Sequence, residues 1–85
     1  MNHINKERSI VLAREIHEAL ETLDVALSSD AEEREIIEAK NIVSNVLRSY
    51  KTLLDSLDGA EKDEVHTLFS KKIEDMANRA KSLIK

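Results

Sequence analysis

Seven residues in the middle of the chain recur at alternating spacings of three and four, and this pattern most constrains the fold. The seven residues are Ile36, Ala39, Val43, Val46, Tyr50, Leu53 and Leu57. Such an alternation places them on one stripe of an α-helix. With Ile42, Leu47 and Leu54 beside it, the apolar arc covers about 140°, more than a two-stranded coiled coil needs. The pattern therefore predicts a long helix that contacts two neighbours.

The segments on either side carry apolar stripes of similar width. The first stripe consists of Leu12, Ala13, Ile16, Ala19, Leu20, Leu23, Ala26 and Leu27. The last consists of Val65, Leu68, Phe69, Ile73, Met76, Ala80, Leu83 and Ile84. Both have the spacing of an amphipathic helix. We therefore expect three helices, with breaks at Ser28-Ser29-Asp30 and at Asp58-Gly59.

The two breaks carry recognisable helix-end signals. Ser29 stands three residues before Glu32, a capping-box spacing that predicts the start of helix 2 near Asp30. Gly59 can adopt the left-handed conformation that ends a helix. We expect a single helical domain over residues 1–85, with helix 1 at about 4–27, helix 2 at about 30–57 and helix 3 at about 60–84.

Short connections between long helices decide the predicted arrangement. Helices of about 25 residues are about 38 Å long, and short links make sequential helices antiparallel. The sequence therefore predicts an all-α fold, an up-down-up bundle of three long antiparallel amphipathic helices. A long helical hairpin that dimerises into a four-helix or larger bundle is the alternative. With 41% hydrophobic and 35% charged residues, one Gly and no Pro, the composition is typical of long helices and not of disorder.

Composition also excludes several classes of protein. Without cysteine there can be no disulfide, thiolate nucleophile or Cys-ligated zinc site. No apolar run approaches the ~20 residues of a membrane span, and residues 1–10 lack the apolar core of a signal peptide. We therefore expect a soluble, cytoplasmic protein with no membrane partner.

No group of residues is spaced for catalysis. The histidines are His3, His17 and His66, and the residues three before the last two are Arg14 and Asp63. A di-iron bundle needs Glu at those positions. The single glycine cannot form a phosphate-binding loop. We expect no enzymatic activity, no catalytic residue, no metal and no cofactor.

Two polar positions have specific expectations. Tyr50 lies near the centre of the helix 2 stripe, and a buried phenol normally needs a hydrogen-bond partner, so we expect one. His17 and Glu21 are spaced i, i+4 and could bind a cation weakly, but both lie towards the polar side of helix 1, so we expect no metal role there.

Four aliphatic residues fall outside the main stripes. Ile4, Val11 and Val25 lie on a second line of helix 1 that Glu18 interrupts, and Ile37 points almost opposite the helix 2 stripe. Single exposed aliphatics are common on monomers, and only a contiguous patch is informative. These four residues are the candidate contacts with a partner protein.

The charge of the chain says less about its partner than the apolar residues do. The net charge is -4, which disfavours nucleic acid as a partner. Helix 3 nevertheless carries a candidate basic face of Lys71, Lys72, Arg79 and Lys81. Because acidic residues interrupt it, a solvated face that complements the helix dipole is the favoured interpretation.

The sequence thus predicts a non-enzymatic protein–protein interaction module, a small adaptor, chaperone or inhibitor that binds a larger protein through a helical face. One alternative is a self-assembling coiled-coil structural protein, in which the helix 2 stripe pairs with a second copy to form a homodimer. The other is a nucleic-acid-associated regulator that uses the lysine-rich helix 3.

Overall fold

The computed structural model describes residues 3–83 of the protein, with side chains from residue 6 onward. This part of the chain forms three helices, α1 (His3–Ala26), α2 (Glu33–Asp55) and α3 (Gly59–Lys81), and contains no strand. None of these three helices is both long enough and apolar enough to cross a membrane. All three pairs of helices are in contact, so the predicted all-α three-helix bundle is confirmed.

Contacts between helix ends establish the direction of each helix. Near the start of α1, Arg8 donates a hydrogen bond to Ser56 Oγ, just beyond the end of α2, at 2.9 Å. Near the end of α1, Asp24 pairs with Arg79 near the end of α3 at 2.8 Å. Therefore α1 runs antiparallel to α2 and parallel to α3. The result is an elongated up-down-up bundle measuring 44 × 19 × 15 Å.

One hydrophobic core runs through the bundle. Its buried residues are Leu12, Ile16, Ala19, Leu23, Ala26, Ala39, Val43, Val46, Leu53, Leu57, Val65, Phe69 and Met76. Burial of one large aliphatic side chain stabilises the fold by about 1.5–3 kcal/mol, so this core dominates stability. Five of the seven residues of the helix 2 stripe are thus buried in this core, and Ile36 and Tyr50 are partly buried against it, so the stripe is covered within the same chain rather than left open as in the hairpin alternative.

Helix α2 begins at Glu33, later than the expected start near Asp30. Glu32 is the N-cap residue, with extended backbone, and its amide donates to Glu35 Oε1 at 3.0 Å. The capping box is therefore formed by Glu32 and Glu35, and the prediction that Ser29 and Glu32 form it was wrong. The acidic run offers carboxylates at successive positions, and those in the first turn are favoured by the positive end of the helix dipole.

A short link joins α2 to α3. After Asp55, the Ser56 hydroxyl donates to the Leu53 carbonyl at 2.7 Å and closes the last turn of α2. Gly59 has φ +59°, the predicted left-handed conformation, but it is the first residue of α3 and does not end α2, which stops at Asp55. This conformation costs other residues roughly 1–2 kcal/mol. A Cβ at Gly59 would meet no atom within 4 Å. The backbone conformation, not crowding, therefore favours glycine there.

Candidate protein-interaction surfaces

The groove between α1 and α3 is lined by two exposed aliphatic side chains, one from each helix. Ile10 of α1 is 54% exposed and Leu68 of α3 is 56% exposed, and both line this groove. Ala13 lies beside them, and the buried Phe69 forms the base. We call these four residues the apolar lining of the α1–α3 groove. They form a patch to which both helices contribute.

The sequence pattern did not reveal this patch. The spacing predicts that Leu68 belongs to the apolar stripe of helix 3, but more than half of its surface is exposed. At 100° per residue Leu68 lies 100° from Phe69, at the edge of the stripe. Ile10 was not singled out at all. The two become neighbours only through the register between α1 and α3, which no local spacing encodes.

Charged side chains surround the apolar lining. Lys6 of α1 and Lys72 of α3 line the same groove, together with Glu64. Neither lysine forms an ion pair with any residue in the described part of the chain. Lys71 lies on the outer side of Leu68, in a depression that also contains Glu74 and Asp75. The lining of the α1–α3 groove itself has two lysines and one glutamate, on a protein whose net charge is -4.

The candidate basic face of helix 3 is not uniform. Lys71, Lys72 and Lys81 are exposed. Arg79 instead pairs with Asp24 of α1 at 2.8 Å and with Asp75 at 3.3 Å, and its side chain is 39% exposed. Arg79 therefore joins α3 to α1, and its charge is compensated within the chain.

Two of the predicted partner contacts, Val11 and Val25, are about half exposed and line depressions between α1 and α2. Fourteen residues of helix separate them, a distance of about 21 Å. Charged side chains surround each valine, and the depression at Val25 also contains Glu21, Glu35 and Glu38. The structure therefore does not bring these two residues into one apolar surface.

The other two predicted contacts add no continuous surface. Ile37 is 51% exposed near the start of α2. At 100° per residue it projects about 160° away from Ala39 of the buried stripe. The side chain of Ile4 lies outside the described residues.

The side chains of two of the three histidines, His17 and His66, lie within the described residues. His17 Nε2 pairs with Glu21 Oε1 at 2.8 Å, and both side chains are largely exposed. His66 is exposed on α3, and the side chain of His3 lies outside the described residues. Among residues 6–83, no group of three or more His, Cys, Asp or Glu side chains could hold a metal ion.

Tyr50 differs from its prediction. Its ring packs against the core, and its hydroxyl is buried without a hydrogen-bond partner in the described structure. The expectation of a specific partner was wrong, because the cluster that surrounds the ring is hydrophobic. Burial raises the pKa of the Tyr50 phenol. An unsatisfied buried hydroxyl of this kind costs about 1–3 kcal/mol.

Comparison of the chain with protein-family models, with curated protein sequences and with solved structures found no match in any of the three. Of the surfaces described above, the α1–α3 groove brings together two aliphatic side chains that are each more than half exposed.

Proposed function

We propose that this protein is a non-enzymatic protein-interaction module, acting as an adaptor, chaperone or inhibitor that binds a larger protein through the α1–α3 groove. The exposure of Ile10 and Leu68 on facing helices of one groove is the observation that supports it. Covering the exposed half of each side chain would contribute about 1 kcal/mol per side chain to the free energy of binding. A partner that covers both therefore gains affinity without disturbing the core.

The groove suits recognition of a helix. Its lining extends over residues 6–13 of α1 and 64–72 of α3, or about 10–12 Å, which is about two helical turns. A partner helix can place apolar residues at i and i+3 or i+4 between Ile10 and Leu68. Because Phe69 beneath them is already packed into the core, the site requires little ordering when a partner binds.

The two alternative functions receive less support. Self-assembly through the helix 2 stripe would need residues that are already buried between α1 and α3. Nucleic-acid binding by helix 3 would draw on Arg79, whose charge is compensated by Asp24 and Asp75.

Capture of a partner from the source cells by the full chain tests the proposal. We expect Leu68→Asp to reduce capture of the partner at least tenfold, because it removes an apolar contact and places a carboxylate where an apolar partner surface would strip it of water. Ile37→Asp is the matched control, since Ile37 is equally exposed but projects away from the α2 stripe. Both variants should keep the wild-type helical circular dichroism.

Other outcomes would contradict this site. If Ile37→Asp, Val11→Asp or Val25→Asp abolished capture while Leu68→Asp did not, the binding surface would lie elsewhere. If the wild-type chain enriched no protein over Leu68→Asp, the groove would have no protein partner.

A further inference from the structure

The charges around the α1–α3 groove carry information about its occupant. Lys6 and Lys72 come from its two walls, and Glu64 is the only acidic residue in the described lining. Both wall lysines lack an ion pair within residues 6–83. Long lysine side chains can cover an apolar surface with their methylene groups while the ammonium remains hydrated. The free ammonium groups can therefore approach a ligand seated between Ile10 and Leu68.

We infer that the occupant of this groove is an amphipathic α-helix of another protein, with an apolar stripe that contacts Ile10 and Leu68 and with carboxylates on both flanks. The inference rests on the proposed function and specifies its partner. A carboxylate on each flank would meet Lys6 on one side and Lys72 on the other. Charge complementarity of this kind speeds association and selects partners more than it raises affinity.

A second copy of this chain fits the groove less well. The other exposed aliphatics on α1, Val11 and Val25, lie about 21 Å apart, whereas the groove is about two turns long. One copy therefore cannot place both valines in the groove of another. A contact between the grooves of two copies would instead bring their lysines together, and like charges disfavour it. A contact of two turns also lies at the small end of specific interfaces, which is typical of transient binding.

A displayed library of helical peptides tests the inference. Leucine is fixed at positions i, i+3, i+4 and i+7, and the flanking positions encode only Glu, Lys, Gln or Ser. The library is selected in parallel on the full-length protein, on its Lys6→Glu/Lys72→Glu variant and on Leu68→Asp. Circular dichroism verifies that the variants are folded, which we expect because both lysines are exposed.

We expect Glu to exceed Lys several-fold at the flanks of peptides selected on the wild type, and this preference to reverse on the lysine variant. A Glu-flanked peptide should bind the variant at least tenfold more weakly. Its affinity for the wild type should also fall as salt is raised. Leu68→Asp should select no peptides above background.

Three results would overturn the inference. They are a preference for Lys or no charge preference, selection no better on the wild type than on Leu68→Asp, and self-association that Leu68→Asp abolishes in light scattering. If capture from cells still depended on Leu68 while the library showed no preference for Glu, the proposed function would stand and only the identity of the occupant would be wrong. If capture also failed, both would be wrong.

Discussion

Helix α1 meets its two neighbours in different ways. Against α2 it makes the most extensive contact in the bundle, and Arg8 adds a hydrogen bond to Ser56 at 2.9 Å. Against α3 it is held near one end by the pair with Arg79, whereas Ile10 and Leu68 remain exposed toward the other end. The candidate binding site thus arises where packing is incomplete, not where the hydrophobic pattern is strongest.

Truncating one leucine of α2 and one of α3, each in a groove beside α1, provides the strongest test of the difference between the two contacts of α1. Leu53 is 2% exposed at the base of the α1–α2 groove, so Leu53→Ala should lower the free energy of unfolding by about 2–5 kcal/mol. Leu68→Ala makes the same chemical change in the α1–α3 groove and should cost less than about 1 kcal/mol. Urea unfolding followed by circular dichroism measures both. Equal losses would mean that Leu68 belongs to the core.

Tyr50 tests how well the interior tolerates a polar group. Replacing Tyr50 with Phe removes the unsatisfied hydroxyl and keeps the ring, so the free energy of unfolding should rise by about 1 kcal/mol. The same urea measurement detects the change. If Tyr50→Phe were destabilising, the hydroxyl would have a partner in solution.

The pH dependence of Tyr50→Phe provides a second readout. Burial raises the pKa of the Tyr50 phenol in the folded state, whereas in the unfolded chain it is about 10. The folded protein therefore binds this proton more tightly than the unfolded chain does, so the free energy of unfolding of the wild type should fall as pH rises above about 10. The Phe variant should lose less stability than the wild type over that range. Equal losses would show that Tyr50 does not titrate differently in the two states.

Much of the fold could be predicted from local spacing. The alternation from Ile36 to Leu57 and the turn at Gly59 are local signals, and the structure has α2 and the left-handed glycine where they indicated. The pairs Ser29–Glu32 and Glu32–Glu35 both have the three-residue spacing of a capping box. Spacing alone therefore could not show which of the two pairs forms it. The presence of each helix could therefore be predicted from the sequence more reliably than the residues at which it begins and ends.

The candidate site could not be predicted in the same way. Val11 and Val25 were identified because they lie off the apolar arc of one helix, a property of a single element. Ile10 and Leu68 form a surface only after α1 and α3 adopt a parallel register, and that register depends on packing between segments distant in sequence. Leu68 also has a helical position at the edge of its stripe, where spacing alone does not determine burial.

The ion pair between Asp24 and Arg79 gives the smallest expected effect, and it tests what holds α3 against α1. Both side chains are partly exposed, so a double-mutant cycle of Asp24→Asn and Arg79→Gln should give a coupling energy of about 0.2–1 kcal/mol that weakens in high salt. The cycle of Asp75→Asn with Arg79→Gln is the control within α3, since that pair is spaced i, i+4. A coupling between Asp24 and Arg79 above about 1.5 kcal/mol would exceed the range of exposed pairs. In that case the ion pair, in addition to the apolar core, would fix the register on which the α1–α3 groove depends.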